Sequence, residues 1–97
     1  MTRITLDARD WRAREDFYAA FLPAVGAPDW HGPSLDAIYD GLVAKLYRIV
    51  PPFVIEITGT RGLPADMLAY LARVRTGFDD ARRDYGVAAS IAFAEDR

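Results

Sequence analysis

Asp36 and Asp40 stand four residues apart in the run SLDAIYD, and the sole histidine, His31, precedes them in DWHGPS. Two carboxylates and an imidazole can hold a metal or move protons, or the carboxylates alone can meet a partner's cations. Residues i and i+4 share one face of a helix, so the two aspartates repel each other there by roughly a few tenths of a kcal/mol. No lysine or arginine is close enough in sequence to offset them. The metal or acid-base reading is short of groups. There is no cysteine, no second histidine, no HExxH and no glycine-rich phosphate loop. The binding reading gains from the aromatic side chains around the acids, Trp30 in the loop and Tyr39 between the aspartates.

The charge distribution points the same way. Between Arg14 and Lys45 the formally charged side chains are Glu15, Asp16, Asp29, Asp36 and Asp40, apart from His31 if it protonates. Of the twelve basic residues, four precede Glu15 and eight lie from Lys45 onward, which leaves an acidic middle to face its partner alone. A net charge of -2 argues against direct nucleic-acid binding. Ninety-seven residues with 52% hydrophobic content read as one domain, residues 1–97, able to bury roughly two thirds of its unfolded surface without metals or crosslinks. The absence of cysteine suits a reducing cytoplasm. Neither a signal-peptide core in MTRITLDARD nor an apolar window of about 18 residues is present, so no membrane association is expected.

The elements that must position these residues follow from periodicity. Arg3 to Asp7 alternates like a short strand. Asp10 is expected to cap a first helix carrying Glu15 and Asp16 in its first turn and Phe17, Ala20, Phe21 and Ala24 as its buried stripe, irregular at Pro23 and ending near Gly26. GAPDWHGPS is a loop, and Ser34 is an N-cap with Asp36 at the positive end of the helix dipole. The second helix is expected from Leu35 to Leu46, with Leu35, Ile38 and Leu42 inward and Asp36, Tyr39 and Asp40 outside. FVIEI, from Phe53 to Ile57, reads as a central strand covered on both faces, in which the carboxylate of Glu56 must find a partner. Pro64 opens a helix whose stripe is Met67, Leu71, Val74, Phe78, Ala81 and Tyr85, ending near Gly86, with two helices meeting at Gly77 as the alternative. RVRTGFDDARRD reads as a solvated face laced with local ion pairs. Val87 to Phe93 is the last strand, and the tail AEDR is expected to fray. The class is α/β: a three-stranded parallel sheet with surrounding helices.

WHG-P-SLDAIYD, followed by PPFVIEI and a helix closing on FDDARRDYG, resembles the barstar family, the intracellular inhibitors of secreted barnase-type ribonucleases. The similarity runs from the first strand to the last, and its loop-helix motif is the specific part. It implies a barstar-like fold and a non-enzymatic inhibitor, cytoplasmic, without cofactor and monomeric when free. Such a protein would place an acidic helix and the preceding loop into the active site of a basic secreted ribonuclease or a related toxin nuclease. By the same resemblance Trp30 and His31 match the aromatic loop pair, Gly32 a tight-turn glycine, and Asp36 and Asp40 the aspartates that meet the enzyme's basic groups. Tyr39 matches an aromatic that is usually tryptophan, and Asp80 and Asp84 match acids on the last helix. Ser34 replaces the asparagine usual before LDA, and Pro33 stands where the best-known member is acidic. The Pro51–Pro52 bond is implied to be cis. A module of the same fold aimed at a different toxin nuclease or at another protein partner is the rival reading.

Overall fold

The computed structural model describes residues 1–94; the expectation for the tail beyond Ala94 lies outside the described residues. The chain runs β1 (Thr2–Asp7), α1 (Arg14–Val25), α2 (Leu35–Val43), β2 (Phe53–Thr58), α3 (Ala65–Tyr85) and β3 (Ala89–Phe93). The three strands form one parallel sheet in the order β1-β2-β3. The register places Ile4, Ile55 and Ile91 side by side, with Leu6 beside Ile57 and Phe53 beside Ala89 on the same face. Because side chains alternate along a strand, that face carries most of the sheet's buried residues, and Phe53, Ile55 and Ile57 are almost completely enclosed.

The other face is open, which corrects the expectation that β2 is covered on both sides. Val54, Glu56 and Thr58 are half-buried, and their neighbours Arg3, Thr5 and Asp7 on β1 are exposed. Glu56 therefore sits at the solvent side of the sheet, where the guanidinium of Arg3 donates to its carboxylate at 2.9 Å. A continuous apolar run reads as double burial because Val54 is apolar. Its two strand neighbours, Arg3 and Ser90, show which side faces water.

The helices cover the inner face. Phe17, Phe21 and Val25 of α1 and Leu71, Val74 and Phe78 of α3 meet over the sheet. Phe21 stacks on Phe17 and meets Phe78 edge-on at 6.1 Å, and Phe78 in turn meets Phe53. Burying one such ring stabilises the fold by about 1.5–3 kcal/mol. In α1 it is Tyr18 and Val25 that join Phe17 and Phe21 inside; Ala20 and Ala24 are only half-buried. Asp10 does not cap α1. The N-cap is Ala13, and the carboxylate of Asp16 accepts the backbone N–H groups of Arg12 at 2.7 Å and Ala13 at 3.1 Å. Those two bonds hold the Asp16 carboxyl below its usual range.

α1 contains Pro23 and ends on Gly26 in the left-handed region, φ 69°. α3 is one helix through Gly77, closed by Gly86 at φ 67°. Tyr85, in the last turn of α3, departs from its expected stripe and is 65% exposed. The Pro51–Pro52 bond is cis, as the resemblance implied. α2 packs mainly on α3 and sends Ile38 and Leu42 into the core. No helix among the described residues is long and apolar enough to cross a membrane.

Candidate functional site

α2 begins as read from the sequence. The Ser34 hydroxyl accepts the N–H of Ala37 at 3.1 Å, and Asp36 lies in the first turn. The helix ends at Val43, earlier than expected. Ala44 is the C-cap, Lys45 adopts φ 58°, and the N–H of Leu46 reaches back to the carbonyl of Gly41 at 2.9 Å. That left-handed turn stops the helix where periodicity alone would have carried it on to Leu46.

The turn brings Tyr47 back against α2. Gly41 is buried, and a Cβ built on it would lie 2.6 Å from the ring and hydroxyl of Tyr47. Glycine at this position therefore lets Tyr47 pass against the helix and reach the loop before it. Its hydroxyl lies 2.9 Å from Nε2 of His31, while Nδ1 of His31 lies 2.8 Å from the carbonyl of Gly32. A carbonyl only accepts, so Nδ1 carries a hydrogen, and in the neutral ring Nε2 accepts the Tyr47 hydroxyl. The two rings are tilted by 32° to each other, with centroids 5.4 Å apart. His31 is 7% exposed, and Tyr47 is buried among Phe21 and its neighbours, which pushes its phenol pKa up. The backbone supports this clamp: Arg48 and Ile49 donate to the carbonyls of Gly26 and Val25 at 3.2 Å each. The segments entering and leaving α2 are thus tied to each other.

The loop so held presents Trp30 at 72% exposure. Trp30 does not fold inward over α1. Gly32 is not in the left-handed region, and a Cβ there would meet only Ala37 at 3.9 Å. Neither backbone conformation nor packing requires glycine at this position. The fold tolerates a side chain at Gly32, and what glycine leaves is bare backbone beside Trp30.

The carboxylates divide into two sets. Asp36 and Asp40 are exposed on α2, with no ion pair and no side-chain hydrogen bond among the described residues. Asp80 and Asp84 on α3 share Arg83, at 3.0 Å each. Tyr39 faces α3. Its hydroxyl donates to Asp84 at 3.0 Å, and partial burial together with that bond raises its pKa. Arg83 and then Tyr39 lower the pKa of Asp84. A shallow groove between the helices is lined by Leu35, Asp36, Tyr39, Arg73, Gly77 and Asp80. Arg73 and Arg83 thus lie next to the acidic helix, so the acidic middle of the sequence is not alone in space.

His31, Asp36 and Asp40 do not converge. The imidazole is buried and used by Gly32 and Tyr47, whereas both carboxylates face solvent. Among the described residues no cluster of three histidine or acidic side chains could hold a metal. Sequence reasoning missed Gly41, Tyr47 and Arg83. A glycine inside a helical pattern was the available signal for the first; the partners of the other two are set by tertiary packing.

The structure is thus a small α/β protein whose sheet is covered by helices on one face, with two carboxylates on α2 that have no ion pair among the described residues and, before that helix, a clamped loop that exposes Trp30. The family described as Barstar (barnase inhibitor) matches residues 1–94, and the chain belongs to it. Members of that family are inhibitors, not enzymes. No curated protein matches the chain.

Proposed function

We propose that this protein is a ribonuclease inhibitor of the antitoxin or immunity type that blocks a basic, barnase-type ribonuclease with α2 and the loop before it. The observation that carries this reading is the unpaired, exposed pair Asp36 and Asp40 on a helix whose two ends are clamped. A ribonuclease site must hold phosphate, so it presents arginine, lysine and protonated histidine. Carboxylates on a rigid helix can take the phosphate positions through charge-assisted hydrogen bonds. Rigidity matters because ordering a loop during binding subtracts from affinity.

Asp40 is the central contact. Trp30 and Tyr39 exclude water around it, and bare Gly32 allows close approach of the enzyme. Ser34 and His31 act by fixing the loop and the helix start. Asp80 and Asp84 contribute at the margin, since Arg83 already meets both. The protein acts as one domain in the cytoplasm, monomeric when free, without catalysis, cofactor or direct contact with nucleic acid. Inhibition of a barnase-type ribonuclease, titrated at low and high salt, tests this. Stoichiometric inhibition that weakens as salt rises is expected, because the acidic surface steers a basic enzyme and salt screens that field. A nuclease panel with no inhibited member, or inhibition indifferent to salt, would remove the proposal.

A further inference from the structure

At the far end of α2 the surface changes sign. Leu42, Val50, Pro51, Pro52 and Val87 line an apolar groove of about 330 Å³, with Lys45 and Tyr85 in its walls and no carboxylate among its lining residues. Val50 is 73% exposed, so this apolar surface is left in water. The groove adjoins α2 through Leu42 and Lys45 and reaches the seam between α2 and α3. The exposed ring of Tyr85 lies 6.4 Å from that of Tyr39, which sits between Asp36 and Asp40 in sequence.

Lys45 is the unusual member. It is the only non-glycine residue with positive φ among the described residues, at a helix end where glycine would carry no steric cost. It is exposed and makes no ion pair among the described residues. Part of its presence is explained by a positive charge beside the negative end of the α2 dipole. That preference does not require a lysine in a left-handed conformation on the wall of an apolar groove.

We infer that the groove is the second half of the docking surface and receives from the same nuclease an apolar side chain flanked by a carboxylate that pairs with Lys45. This rests on the inhibitor reading and adds a chemical requirement to it. The partner's phosphate-binding cleft must be bordered by an acidic and apolar segment. Charges of opposite sign at the two ends of one helix fix a single orientation, because a reversed complex would set like charges against each other. A second copy of the chain is the weaker occupant. Two exposed apolar residues, Val50 and Tyr85, offer little of the roughly 1,000 Å² that a stable interface of its own buries, whereas an extension of a charged contact needs only to add to it.

The sign of one substitution tests the inference. Lys45→Glu makes the chain more acidic, so if nothing acidic faces Lys45 the variant should associate faster with a basic ribonuclease and bind it equally well or more tightly. If Lys45 pairs with a carboxylate, Kd should rise by about tenfold or more, as for other hydrogen bonds to charged groups. Lys45→Gly should raise the melting temperature by relieving the backbone yet weaken binding several-fold, and Val50→Asp should weaken it without changing the melt. These affinities are measured at low salt against barnase-type ribonucleases, with Asp40→Ala alongside. If Asp40→Ala loses affinity while all three groove variants bind like wild type, the groove inference falls and the acidic-helix reading stands. If wild type binds no nuclease in the panel, both fall. If the free chain is a dimer that Val50→Asp dissociates with nuclease affinity unchanged, the groove belongs to a second copy and the inference is overturned.

Discussion

The acids of α2 and those of α3 lie on adjoining helices, yet Asp36 and Asp40 have no partner among the described residues whereas Asp80 and Asp84 share Arg83, and Asp84 also accepts the hydroxyl of Tyr39. The difference separates two uses of the same side chain. On α3 the aspartates are part of the structure's own pairing, together with the neighbouring bridge from Arg82 to Asp79 at 3.3 Å. On α2, Asp36 is at least favoured by the helix N-terminus. Asp40 lacks even that. It lies in the C-terminal half of α2 (Leu35–Val43) and one turn from Asp36, so both the dipole and its neighbour oppose it. A residue that costs stability and satisfies nothing inside the molecule is the natural candidate for a contact outside it.

The comparison depends first on α2 being held rigid, and Gly41→Ala is the largest expected perturbation. Its Cβ would stand 2.6 Å from the Tyr47 ring, and overpacking of that kind costs about 1–3 kcal/mol. A urea melt should show that loss together with greater exposure of the loop around His31; unchanged stability would mean Tyr47 can move aside and the clamp is unimportant. Arg83→Ala sharpens the contrast from the other direction by turning the paired acids into unpaired ones. Association with a basic nuclease should then quicken several-fold at low salt, read by stopped flow. A slower rate would show that Arg83 itself meets the partner.

The smallest effect is a shift in titration. Asp84 has its pKa lowered in the folded chain by Arg83 and then by Tyr39. What it adds to stability is therefore complete above the ordinary aspartate value of about 3.9 and is lost as pH falls through its lower folded value. Followed by carboxyl NMR, Asp84 should titrate at higher pH in Tyr39→Phe than in wild type, and higher still in Arg83→Ala. No movement in either variant would mean that the α3 acids are no more engaged than those of α2.

How far the sequence discloses this arrangement depends on the range of each signal. Ser34 as N-cap, Gly26 and Gly86 as helix ends, and the stripe from Met67 to Ala81 are local, and each is where short-range rules place it. The parallel three-stranded sheet follows from the alternation of strands and helices. The failures are long-range. Asp16 replaces Asp10 at the start of α1 because the cap is made from inside the helix. α2 stops at Val43 because Lys45 turns left-handed and Tyr47 must return toward His31. The open face of β2 is disclosed only by its neighbours in the sheet. For the candidate site, Asp36 and Asp40 could be read from spacing, but the pairing of Asp80 and Asp84, and the burial of His31, required the helices and loops to be packed.

The decisive measurement sets one acid from each region against the other: Kd for a barnase-type ribonuclease and the melting temperature of the free chain, for wild type, Asp40→Ala and Asp80→Ala. Hydrogen bonds to charged groups are worth about 1.5–3 kcal/mol. Asp40→Ala should therefore weaken binding by roughly tenfold to a hundredfold while leaving the melting temperature equal or raising it. Asp80→Ala, whose carboxylate already meets Arg83, should change Kd by less than about threefold. If instead Asp80→Ala is the more damaging, or Asp40→Ala binds like wild type, the unpaired helix is not the inhibitory surface.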